Sequence, residues 1–80
     1  MARRLEPQQA LGRAIRGLRE ERGLRQHDVA KKANVNMTHF SRLEHGHINP
    51  SWGTVRRVAE ALGVRVSELA ARAEDIERNG

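Results

Sequence analysis

Eighty residues make one small domain, and the absence of cysteine excludes disulfides, thiolate metal sites and cysteine nucleophiles. No apolar run reaches the ~20 residues of a membrane span and no signal-peptide stretch opens the chain, so a cytoplasmic protein with no membrane partner is expected. The net charge of +5 sits in residues 1–40, which hold nine Lys/Arg against four acids, while residues 41–80 hold six against six. This asymmetry points to a polyanion, with nucleic acid ahead of an anionic membrane.

Residues 1–7 read as a mobile basic arm, and the domain as residues 8–78. The first helix runs from about Gln8 to Arg22, with Leu11, Ala14, Ile15 and Leu18 on one face at i, i+3, i+4 and i+7. Gly12 and Gly17 weaken its local propensity. Helix 2 spans about 26–33, with Val29, Ala30 and Ala33 inward. Asn34 suits a left-handed turn, Asn36 suits an N-cap, and a third helix follows over about 37–44 with Phe40 and Leu43 inward. Residues 45–50 read as a loop. Ser51 then caps a helix from Trp52 to Leu62 whose apolar positions are Trp52, Val55, Val58, Ala59 and Leu62. A last helix from Val66 carries Leu69, Ala70, Ala73 and Ile76. Gly23, Gly46 and Gly63 each close a helical stretch. No β-alternation or internal repeat occurs, so the fold class is all-α, a compact five-helix domain.

An eight-residue helix, a three-residue turn and a second short helix over Gln26–Glu44 form a helix-turn-helix, whose second helix suits a major groove. Ala30 stands where the two helices approach most closely. Met37, Thr38, Ser41 and Arg42 are left outward, with Thr38 and Arg42 on one face at i, i+4. The run Leu24-Arg25-Gln26-His27-Asp28-Val29-Ala30-Lys31-Lys32-Ala33-Asn34-Val35-Asn36, continued by Phe40-Ser41-Arg42-Leu43-Glu44-His45-Gly46, resembles the phage repressor/Cro-like (XRE-type) helix-turn-helix family. The likeness extends to Ile15–Gly23 and to Asn49–Ser51, Thr54-Val55 and Ala59–Val64, about residues 11–70 in all. It implies a lambda-repressor-like fold. Arg25 and Arg65 depart from the pattern, standing where a capping Ser or Thr is usual, and each forgoes a side-chain cap of about 1 kcal/mol.

The resemblance also implies roles. Gln26, at the start of helix 2, matches the residue that grips a backbone phosphate, and Met37 and Thr38 match residues that touch base edges. Met37 suits a thymine methyl and Thr38 is an adaptable donor or acceptor. The fork of Arg42 suits guanine O6 and N7. Arg25, His39, His45, His47 and Asn49 are further phosphate-contact candidates. Arg19 and Glu44 match a pair that ties helix 1 to the end of helix 3, a structural role. The outer half of the last helix, Ala73 and Ile76, is the candidate dimer surface.

Four histidines raise a metal site, but His45-x-His47 beside Glu44 alone is too few ligands. No cofactor, nucleophile–base set or phosphate-cradling Gly-rich loop is visible, so no enzyme is expected. The expected function is a sequence-specific, double-stranded-DNA-binding transcriptional regulator, a repressor or small controller protein acting as a homodimer on a palindromic operator. One recognition helix reads only a few base pairs, so two half-sites are needed. The alternative is an antitoxin that binds both DNA and a toxin protein.

Overall fold

Pro7 opens the first helix of the computed structural model, which describes residues 5–79. Its fixed φ and missing N–H suit the first helical position, and Gln9 Oε1 accepts from the Glu6 amide to close the entry. The helix, α1 (Pro7–Glu21), therefore starts inside the stretch read as an arm, and residues 1–4 of that arm lie outside the described residues. Then come α2 (Gln26–Lys32), α3 (Met37–Glu44), α4 (Trp52–Leu62) and α5 (Val66–Asn79), with no strand among the described residues. The chain is all-α with five helices.

Each boundary has a local cause. Asn34 turns the chain from α2 to α3 at φ 57°, and the Asn36 side chain accepts from the amides of Thr38 and His39 at 2.8 and 3.3 Å. Ser51 Oγ accepts from the Thr54 amide at 3.1 Å and opens α4. The caps missing at Arg25 and Arg65 are replaced from inside the helix. Asp28 Oδ2 accepts from the Arg25 amide at 3.0 Å, and Glu68 Oε1 from the Arg65 amide at 3.2 Å, which is the second half of a capping box working alone.

Phe40, Ile15, Leu43, Leu62, Leu69, Val29 and Val58 form the fully buried centre, drawn from all five helices. Helix α5 lies along α1 and is clamped to it by Arg72, which donates to both Glu21 carboxylate oxygens at 2.7 and 3.0 Å. Two expectations about apolar faces are corrected. Trp52 is 65% exposed rather than inward, because Cα–Cβ bonds tilt toward the helix N-terminus and a first-position side chain overhangs the end of the domain. Ala70 is exposed at the edge of the α5 stripe, whereas Val66, Ala73 and Ile76 are half-buried against the chain's own core.

Candidate nucleic-acid interface

Helix α3 is held at its base by one buried carboxylate. Glu44 is 5% exposed and accepts three bonds: Arg19 Nε at 2.6 Å, Arg19 Nη2 at 3.1 Å and Gln26 Nε2 at 2.8 Å. The third guanidinium nitrogen of Arg19 donates to Leu24 O at 3.0 Å. This node joins α1, the turn after it, α2 and α3. The Glu44 hydrogen bond, above all, raises the Arg19 pKa further, so the guanidinium stays charged throughout. No buried side-chain nitrogen or oxygen among the described residues lacks a partner.

Two further contacts fix the helix-turn-helix angle. Arg57 Nε, on α4, donates at 3.1 Å to Ala33 O, one of the carbonyls left open where α2 ends. At Gly12 the backbones of α1 and α3 meet so closely that an added Cβ would stand 2.5 Å from Leu43 O and Glu44 O. That glycine is a helix–helix contact, which the spacing of apolar residues does not reveal. Gly46, at φ +73°, is packed equally closely on Gln9 Cα, where a Cβ would stand at 2.7 Å.

With its inner face locked, α3 turns a polar face outward. Phe40, Leu43 and Glu44 are buried, and helical spacing sets Thr38, Arg42 and His45 opposite them. Met37 flanks that stripe at 40% exposure, and His39 flanks it on the other side, also exposed. Among the described residues Arg42 forms no ion pair and its guanidinium no hydrogen bond, so the fork is unengaged. His45 Nδ1 lies 2.7 Å from Ser41 O. A carbonyl only accepts, so Nδ1 carries the hydrogen and Nε2 is left facing outward as an acceptor when the ring is neutral.

Beside α3 opens a cleft of about 480 Å³ where α1, α2 and the end of α3 converge. The exposed side chains of Arg16, Arg25, His27 and His45 line it, together with the more buried Arg19, Gln26 and Glu44. Arg25 is 86% exposed in its side chain, with Asp28 at 3.6 Å. Three of the sequence-named phosphate candidates, Arg25, Gln26 and His45, thus share one basic cleft. His47 and Asn49 are exposed on the α3–α4 loop, with the His47 ring 5.8 Å from that of His45. Gln26 differs from expectation: one amide hydrogen is committed to Glu44, so the residue positions α2 against α3 and has one hydrogen left for a phosphate. Nothing in the sequence marks that third member of the node.

The fold and the outward polar face of α3 define a helix-turn-helix domain. The family model described as a helix-turn-helix domain matches residues 10–72, and the chain belongs to that family. It is similar to the immunity repressor protein of Bacillus phage phi105, 39% identical over 59 residues, or 74% of this chain and 41% of the repressor. The chain therefore spans about two-fifths of that relative's length. Among solved structures it is similar to the clp gene regulator ClgR from Corynebacterium glutamicum, at 27% identity with a TM-score of 0.90, covering 96% of this chain and 99% of that one. It is also similar to the restriction-modification controller protein C.AhdI from Aeromonas hydrophila, at 27% identity with a TM-score of 0.75, covering 78% and 94%. No described helix is long and apolar enough to cross a membrane.

Proposed function

We propose that this chain is a DNA-binding transcriptional regulator that lays α3 in the major groove of double-stranded DNA and acts as a homodimer on a two-fold operator. The observation that carries this reading is the division of α3. Its inner face and base are locked by the core and by the Arg19–Glu44–Gln26 node, while Thr38 and Arg42 project unengaged from the opposite side. A rigid helix with free donors on one face is what base reading requires. The basic cleft beside it, with Arg25, suits phosphate contacts that set the register of the helix. Met37 adds an apolar contact at the start of the helix, and His39, His47 and Asn49 extend the backbone contacts. The names of the phage repressor and the clp gene regulator support the same reading.

The test is selection of bound sequences from a pool of random duplexes with the purified protein. Enrichment of one motif with two inverted half-sites is expected. A pool that stays random after repeated rounds contradicts specific DNA binding, and a single half-site without its inverted mate contradicts the homodimer.

A further inference from the structure

All four histidines of the chain fall between residues 27 and 47, and all four are exposed: His27 on α2, His39 on α3, His45 at the end of α3 and His47 on the α3–α4 loop. Histidine is the side chain that ordinarily changes charge between about pH 5 and 8, so the helix-turn-helix gains positive charge on mild acidification. His45 is held in one tautomer. Its Nδ1 hydrogen is committed to Ser41 O at 2.7 Å, which leaves Nε2 a bare acceptor when the ring is neutral. A phosphate oxygen is an acceptor too, so the neutral ring has nothing to offer it. A proton added at Nε2 turns the same atom into a charged donor.

His45 stands three residues after Arg42 and seven after Thr38, on the outward stripe of α3. Its ring lines the cleft beside α3 and a second of about 190 Å³ that shares Arg16 and Glu44 with it. From α1 it is faced by Arg13, Arg16 and Arg19, and from the start of α2 by Arg25 and His27. Arg42 lies on its own helix, and the His47 ring stands 5.8 Å away. Glu44 is the one carboxylate lining either cleft among the described residues, and Arg19 and Gln26 already engage it. An imidazolium at this position therefore lacks a free anion, and a DNA phosphate in the cleft supplies one.

We propose that the chain takes up a proton at His45 when it binds DNA, so that pH sets its affinity. The inference rests on the DNA-binding reading above and concerns the regulation of that same site. The proton comes from solvent, adds to the Nε2 lone pair and is then shared with a phosphate oxygen. The bound state holds more protons than the free one, so affinity rises as pH falls through the histidine range and declines as pH rises through it.

The test is anisotropy of a labelled duplex of mixed sequence, about two helical turns long, titrated with the full chain at constant ionic strength. The parent should bind about five-fold tighter at about pH 6 than at about pH 8. His45→Gln keeps a donor but cannot take the charge, and should lose most of this response. His45→Lys, charged at both ends of the range, should bind at both as the parent does in acid. His27→Gln and His47→Gln should retain the response. Calorimetry in two buffers of different ionisation enthalpy counts the protons directly, and net uptake on binding should fall sharply in His45→Gln. The substituted side chains are exposed, so unchanged circular dichroism is expected. Equal affinity across the range, or a response that survives His45→Gln, overturns the proposal and leaves the DNA-binding reading intact. If the duplex is bound at neither pH, the functional reading fails and the proton coupling fails with it.

Discussion

Glu44 shows how one side chain sets the geometry of a whole face. Its carboxylate is buried, and without it the Gln26 amide would lose its partner and Arg19 would keep only Leu24 O under the recognition helix. Removing one member of a buried pair typically costs about 3–5 kcal/mol, because the survivor stays desolvated. Glu44→Ala should therefore lower the melting temperature by many degrees in a calorimetric scan. Glu77→Ala, near the end of α5 with no ion pair among the described residues, should melt nearly as the parent. Parent-like melting of both variants would mean that the node holds nothing. The exposed Glu21 acts through charge instead. Its hydrogen bond from Arg72, above all, holds the carboxyl below the usual glutamate range. A depressed folded-state pKa contributes stability above the unfolded value of about 4.3, and that stability is lost as pH falls through the lower folded value. Glu21→Gln should flatten the decline in melting temperature across that acid window and nowhere else. The Arg19–Glu44 pair was legible through the family resemblance. Gln26 and the Arg72–Glu21 clamp were not, since pairs 18 and 51 residues apart leave no periodic trace.

Among the helices, the two glycines of α1 separate propensity from packing. Propensity alone expects Gly→Ala inside a helix to gain up to about 1 kcal/mol. At Gly17 the nearest atom to an added Cβ is Arg72 Nη1 at 3.4 Å, an ordinary van der Waals contact, so Gly17→Ala should be stabilising in urea denaturation. At Gly12 the obstacles are the α3 carbonyls at 2.5 Å, so Gly12→Ala should be destabilising and should also disturb the pose of α3. Equal gains at both positions would show that α1 and α3 are not in close contact. Apolar spacing placed α3 and α4 at their observed limits and the other helices within a residue or so, because a buried stripe and a cap act locally. It misplaced Trp52, since periodicity says nothing about where the core ends along a helix. It also missed the work of Asp28 and Glu68, each of which closes a helix start whose N-cap residue cannot.

At the scale of the whole molecule, Arg16, Arg19 and Arg25 of the basic first half gather around the cleft beside α3. Binding to DNA should weaken steeply with salt, with a log–log slope of about −0.9 per phosphate neutralised. Affinity that stays constant as salt is raised would rule out the electrostatic contribution. Ala73 and Ile76, read from the sequence as the dimer surface, are partly buried against the chain's own core, so only their outer edges are left for a partner. Sequence patterning shows that a stripe is apolar but not which of two neighbours covers it.

The claim on which the rest depends is that α3 reads bases through Arg42 and Thr38 while residues around the cleft grip the backbone. Relative affinity across a library of single-base operator variants tests it most directly, comparing the parent with Arg42→Ala and Arg25→Ala. Arg25 is the cleaner control than Gln26, whose amide also supports Glu44. A bidentate arginine–guanine contact discriminates by about 1–3 kcal/mol, so Arg42→Ala should relax the preference at one base pair in each half-site. Arg25→Ala should lower all affinities by a similar factor and preserve their order. If Arg42→Ala instead weakens every variant equally and leaves the preference intact, Arg42 is a backbone contact and the recognition face has been assigned to the wrong residues.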